Sequence, residues 1–419
     1  TENPLHPALK SYHPFDGDGM VHIVGFRDGK AFYRNSFVRT DGFEAEQEAG
    51  GPLWPGLAEP LSLSKVDYGW GARTLLKDAS STDVVVHRGT ALTSFYQCGD
   101  LYRIDPYTGQ TRGKQDFNGG FPFDWGVSAH PKVDERTDEL LFFNYSKKEP
   151  YLHYGVVDAN NDLVHYTDVP LPGPRLPHDM AFTRNYVILN DFPLFWEPEL
   201  LERDLHVARF HPDMPSRFAV VPRRGGAADV QWFEADPTFV LHFANAYEDG
   251  DEIVLDGFYQ GDPEPADNGT GTKWQRAFRF LALDRMQTRL HRWRFNLKTG
   301  ATTESFRFSA SDSSAVSRTC DSLKAEVSRL QSQDRRSRPC SSEIDSAAST
   351  ACTSSFSMDQ ASSGLSSNPR PSTATQPGSC SSRDCRPAAT TSKTAPPAHQ
   401  ASAPRTKAAR SAVSTGLMV

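Results

Sequence analysis

From Gly19 to Gly300 the sequence is a succession of short alternating or β-branched runs cut by polar turns, and no long amphipathic helix interrupts it. The runs include GMVHIVGFRDGKAFYRNSFVRT, TDVVVHRGTALTSFYQCGDLYRIDPYTG, ELLFFNYS, LHYGVVDANNDLVHYTDVPL, NYVILNDFPLF, FVLHFANAYEDGDEIVLDGFY and RLHRWRFNLKTG. RDGK, HRGT, DANND and EDGD read as hairpin turns, their Gly and Asn supplying the positive φ that such turns require. The fold class is therefore all-β. Many short antiparallel strands at steady intervals leave a sandwich, a barrel or a propeller, and over this length a propeller is favoured.

The pattern stops near residue 305. All seven Trp and all thirteen Tyr precede it, and beyond Phe308 the only aromatic residue is Phe356. Ser, Ala, Thr, Arg and Pro dominate stretches such as SSEIDSAASTACTSSFS, which cannot bury enough apolar surface to offset the entropy of ordering. Two parts are expected: a β domain over residues 1–304 and a low-complexity tail over 305–419, either disordered or the out-of-frame translation of GC-rich DNA. Five of the six cysteines fall in the tail at spacings that match no zinc pattern, so they read as free thiols. A formal charge of −7 and a pI near 6.0 offer no basic face for nucleic acid. No apolar run is long enough for a spanning helix, and the polar opening TENPLHPALK is no signal segment. Cytoplasmic residence is the expectation, with a targeting segment upstream of Thr1 left open.

Three histidines stand apart because each sits at the edge of a strand-like run in apolar and aromatic surroundings: His130 in FDWGVSAHPKVD, His178 in PGPRLPHDMAFT and His242 in DPTFVLHFANAYEDGDE. They are separated by 48 and 64 residues, close to one propeller blade of roughly 40–50 residues. One histidine per blade would aim all three at a common axis. Neutral imidazoles suit a first-row divalent metal such as Fe(II), Cu or Zn, and ligand type alone does not separate these. A lone buried histidine is more often a hydrogen-bonded core residue, and that reading stands beside the first for each of the three.

The stretch HPFDGDGMVHIVGFRDGKAFYRNSFVRT, from His13 to Thr40, resembles the FDGDGM segment of the carotenoid cleavage oxygenases. FDWGVSAHPKVDERTDELLFF, LPHDMAFTRNYVILNDFPLFW and ADPTFVLHFANAYEDGDEIVLDGF are similar to that family's first three iron-ligand segments, in order. The resemblance implies a seven-bladed β-propeller that holds Fe(II) through four histidines and no carboxylate. It carries three of the ligands onto His130, His178 and His242, which would be catalytic through the iron. The fourth ligand is not found. His399, the one histidine in the region where it is expected, lies in PPAHQASAP without aromatic or strand context. Few residues precede His13, so the propeller is expected to be incomplete at both ends. The family also uses glutamates that accept the outer N–H of its ligands. Here Gln97, in SFYQCGDLY, takes the place of the acid that precedes the first ligand, with an expected loss of iron affinity.

The chemistry implied is addition of O2 across a conjugated carbon–carbon double bond of an apolar polyene, giving two carbonyl products. Tyr96, Phe123, Trp125, Phe182, Phe239 and Phe243, with Phe192, Phe195 and Trp196, are candidates to line the substrate tunnel, ordinary core being the alternative for each. Tyr96 stands where stilbene-cleaving relatives carry a Lys, which favours a carotenoid or apocarotenoid over a stilbene. Peripheral membrane contact is compatible with such a substrate. A metal-free propeller fragment that only binds a partner or an apolar ligand is the alternative of a different class.

Overall fold

The computed structural model describes residues 3–7, 14–57, 59–69, 76–203, 208–261, 263 and 288–306. Of the tail expected over 305–419, Ser305 and Phe306 instead end a strand; the rest, with His399 and the five cysteines, lies beyond the described residues, and His13 also falls outside them.

The chain begins with a hairpin of β1 (Met20–Arg27) and β2 (Lys30–Phe37), followed by the nine-residue helix α1 (Asp41–Ala49). Thr40 starts α1 by accepting the Phe43 N–H on its hydroxyl at 3.0 Å, and Gly50 ends it at φ 67°. Among the described residues, four antiparallel four-stranded sheets follow. The first holds β3 (Asp83–His87), β4 (Thr90–Ser94), β5 (Tyr102–Ile104) and β6 (Thr111–Lys114). The second holds β7 (Lys132–Asp134), β8 (Glu139–Tyr145), β9 (Leu152–Val157) and β10 (Leu163–Asp168). The third opens with β11 (Ala181–Phe182) and β12 (Tyr186–Asp191). It is then interrupted by a hairpin of β13 (Leu194–Trp196) and β14 (Ala208–Phe210), with the short helix α2 (Pro198–Leu201) between, and resumes with β15 (Ser216–Pro222) and β16 (Gln231–Ala235). The fourth holds β17 (Phe243–Asp249), β18 (Glu252–Gln260), β19 (Thr288–Asn296) and β20 (Thr302–Phe306). Each four-stranded sheet is an up-and-down meander in chain order.

The tight turns form at RDGK and HRGT, where the positive φ is shared by Asp28 (53°) with Gly29 (72°) and by Arg88 (51°) with Gly89 (77°). Two-residue loops of this kind need positive φ at both central positions, which is why an Asp and an Arg join the glycines there. One expected run is corrected. FVLHFANAY is not a continuous strand, because β17 begins at Phe243 and Phe239 makes only an isolated bridge to Gln260.

Residues that alternate along one strand feed two different cores. On β8, Leu140 and Phe142 pack with Leu92, Leu101 and Phe117 of the first sheet and its loops. Leu141, Phe143 and Tyr145 point the other way, into a cluster that continues through Ile188, Phe218, Phe233, Trp293 and Phe295 of the third and fourth sheets. Both faces are covered, so the strand reads as an unbroken apolar run. Burying each Phe contributes about 1.5–3 kcal/mol, and the double coverage stacks the sheets face on face. A third cluster, of Val21, Val38, Ala91, Tyr102 and Ile104, seats the β1–β2 hairpin on the first sheet. The first strands meet at one side of this stack, β3 against β7 and β11 against β17. Among the described residues, no helix is long and apolar enough to cross a membrane.

Candidate metal centre

His130, His178 and His242 each stand within three residues of the first strand of a successive sheet, the second, third and fourth. The first interval is one four-stranded sheet. The second is longer by the excursion through β13, α2 and β14, which accounts for 64 residues against 48.

Backbone contacts fix each entry. The Ser128 N–H donates to Phe143 O at 2.8 Å and the Val127 N–H to Gly99 O at 2.9 Å, while the Ser94 hydroxyl donates to Ala129 O, so the approach to His130 is bonded to the first and second sheets at once. Asp179 follows His178 and is fully buried. Its Oδ2 accepts the Phe243 N–H, next to His242, at 2.9 Å, and its Oδ1 lies 2.6 Å from Lys132 Nζ, two residues past His130. One carboxylate thus links the three entries. The Asn190 amide holds the Asp179 carbonyl in turn, at 2.9 Å.

The imidazoles converge as a nearly regular triangle. Ring centroids are 4.8, 5.0 and 5.2 Å apart, the planes cross at 70–75°, and one ligand atom from each ring lies within 4.8 Å of the others. His130 Nε2 and His178 Nε2 are 3.1 Å apart. His130 Nδ1 faces the Asp83 carboxylate, Oδ2, at 2.8 Å. Because an ionised carboxylate only accepts, that contact puts the proton on Nδ1 and the lone pair on Nε2, toward the other rings. His178 and His242 are half-buried. Burial, then the neighbouring imidazoles, pushes His178 well below the usual histidine value, and burial with His130 lowers His242. Against the burial that would raise it, the His130 hydrogen bond holds the Asp83 carboxyl below its usual range. Neutral rings with lone pairs aimed at one point are a donor set for a divalent cation. Two nitrogens each about 2.1 Å from one ion, at close to a right angle, lie about 3 Å apart, as His130 and His178 do.

The other expected site residues divide. Tyr96 lies beside the centre, its ring 6.4 Å from that of His178 and in contact with Phe95 and Phe15. These rings border a solvent-open cleft of about 440 Å³ shared with Trp54, Leu76 and Lys77. Gln97 is buried, and its amide nitrogen has no hydrogen-bond partner. Phe123 is exposed and packs on Phe121, Trp125 sits edge-on to His153, and Phe182 lies under the Arg223 guanidinium. Phe239 and Phe192 are core rings in mutual contact, Phe243 packs on Phe218, and Phe195 and Trp196 lie under Arg175 and Lys147. Sequence reasoning did not find Asp83, Asp179 or Lys132. Asp83 carried a signal: it lies 47 residues before His130, one sheet earlier at the same entry position.

The family model for retinal pigment epithelial membrane protein matches residues 1–340. A carotenoid 9,10(9′,10′)-cleavage dioxygenase of Crocus sativus is 29% identical over 329 residues, covering 72% of this chain and 56% of that protein. The chain spans little more than half the length of the curated relatives it matches. Among solved structures, a Pseudomonas brassicacearum lignostilbene dioxygenase superposes with a TM-score of 0.60 at 27% identity, over 73% of this chain and 62% of that one. A variant of the Synechocystis apocarotenoid oxygenase gives 0.60 at 25% identity, over 73% and 65%.

Proposed function

The chain belongs to the retinal pigment epithelial membrane protein family, and from that premise we propose that it is a non-haem Fe(II) dioxygenase that cleaves a conjugated carbon–carbon double bond of a carotenoid or apocarotenoid. The observation that carries this reading is the convergence of His130, His178 and His242. The four sheets are then consecutive blades of a seven-bladed propeller, with the histidines as iron ligands at its centre. The chemistry a bound ferrous ion supplies is redox activation of dioxygen, whose two oxygen atoms end in the two carbonyl products without a further reductant. The residues of the chain hold and orient. Burial keeps His178 and His242 neutral and able to donate lone pairs, and the Asp179 carboxylate keeps the three entries in register. Tyr96, Phe95 and Phe15 offer an aromatic wall beside His178 against which an apolar polyene can lie. Tyr96 brings no cation to meet a phenol. That favours a polyene over the hydroxylated stilbenes, although the superposition on a lignostilbene dioxygenase keeps the stilbene reading as second.

The test is to load the full chain anaerobically with Fe(II), then supply an apocarotenal or a hydroxystilbene with 18O-labelled dioxygen. Two carbonyl products carrying label, from the apocarotenal in preference, are expected. Cleavage of the stilbene alone would move the substrate class. Polyene binding without iron uptake or cleavage would leave only a binding module.

A further inference from the structure

At or just before the first strand of each sheet stands a side chain of the cluster, and for three of the sheets it is an imidazole, His130, His178 or His242. The fourth is Asp83, the first residue of β3. Its Oδ2 lies 2.8 Å from His130 Nδ1, and its Oδ1 accepts the Val84 N–H at 2.7 Å, so both oxygens have fixed directions. The His130 side chain is 7% exposed and that of Asp83 24%, so the contact is largely withdrawn from water. Three neutral imidazoles around a dication leave its charge uncompensated, and the side chain expected to bring an acid near them is the uncharged Gln97, whose buried amide nitrogen meets no partner.

We propose that Asp83 is a positioning residue of the metal centre: it accepts the Nδ1–H of His130, fixes the tautomer that leaves Nε2 free toward His178 and His242, and supplies the negative charge that Gln97 lacks. The inference rests on the reading of the three histidines as ligands. A carboxylate behind a ligating imidazole makes the ring a stronger donor and fixes its orientation, and losing such a partner weakens metal binding by about 10- to 100-fold. Asp83 acts through His130 rather than on the metal, since the group of ligand atoms gathered within 4.8 Å is formed by the three histidines without it.

The test is a titration of the full-length apo-protein with Co(II) alone against a competing chelator, followed by the Co(II) d–d absorption, for wild type, Asp83→Ala, Asp83→Asn and Asp83→Glu. Asp83→Ala is expected to weaken binding by about 10- to 100-fold. Asp83→Asn, which can still accept the hydrogen bond, should lose less, and Asp83→Glu should recover part of the loss and the wild-type band shape. Apo-protein melting should fall modestly in Asp83→Ala, which leaves the buried His130 Nδ1–H unmet, and less in the other two, with all four proteins folded at the titration temperature. Equal affinity in all four proteins overturns the proposal, as does a loss of affinity that merely tracks a loss of folding. If the variants do not fold, the 15N shifts of the wild-type histidines decide: Nδ1-protonated His130 upholds the assignment and Nε2-protonated His130 overturns it. Wild type that takes up no Co(II) sinks the ligand reading itself, whereas wild type that binds while the variants bind equally sinks only the role of Asp83.

Discussion

Lys132 and Asp179 pair at 2.6 Å across two sheets, each one or two residues past an imidazole of the proposed centre. The same carboxylate receives the Phe243 N–H beside the third imidazole, so a single side chain touches the approaches to all three rings. Asp179→Ala would strand an ammonium that is only 27% exposed, together with the backbone N–H groups of Phe243 and Met180. The expected cost is about 3 kcal/mol, at the lower end for a broken buried pair because Lys132 keeps some water. Urea unfolding of the apo-protein measures it, and a loss under about 1 kcal/mol, the level of a surface pair, would show that the pair does not organise the entries.

His242→Ala removes one of three converging donors from a half-buried position. The iron uptake proposed for the three-histidine centre should be lost while the urea midpoint of the apo-protein stays near that of wild type. Iron retained at wild-type stoichiometry would contradict the ligand assignment.

Acidification should destabilise the fold through histidines remote from the centre. His153 is buried, donates from Nδ1 to Asn144 Oδ1 at 2.8 Å, and is lowered by burial, with the Asp168 charge opposing. A lowered histidine binds its proton less readily folded than unfolded, so stability is intact above the ordinary value of 6.5 and falls as pH drops below it. The slope is at most about 1.4 kcal/mol per pH unit for one such group. His153→Gln should flatten the unfolding free energy between neutral and mildly acidic pH. An unchanged slope would assign the effect elsewhere.

Phe142 lies fully buried between the first and second sheets, against Phe117 and Tyr166. Phe142→Ala should cost about 3–5 kcal/mol. Phe26→Ala, at a ring 81% exposed on the β1–β2 hairpin, should change stability by no more than about 0.5 kcal/mol. Comparable losses at both positions would mean that the hairpin face is covered.

The β class was legible because turn residues recur between runs that alternate or are β-branched, and the three histidines because each interrupts an apolar run at its end. Their unequal spacing was read as roughly one blade each, and the hairpin that lengthens the second interval carries no signal in the histidines themselves. β15 (SRFAVVP) is not among the runs legible in the sequence: its apolar stretch is only Phe218–Val221, set between Arg217 and Pro222. β6 (TRGK) is short and polar, and β16 (QWFEA) is only five residues long, so each owes its form to pairing with a neighbour as much as to its own pattern. Asp83 escaped notice for a chemical reason. A search for imidazoles in apolar settings passes over a carboxylate that opens a strand, and only its distance to His130 in space reveals the pairing. Gln97 is legible only from its place in the sequence; it is buried with its amide nitrogen unmet, while Asp83 faces His130 Nδ1.

The excursion from β13 to β14 departs from and returns to two strands that stay paired without a slip, Tyr186 opposite Pro222 through Asp191 opposite Arg217. Chain can therefore be added or removed there while the neighbouring imidazoles keep their separation. Along this polypeptide, distance in sequence between successive histidines records what has been inserted, and distance in space records what the chemistry requires.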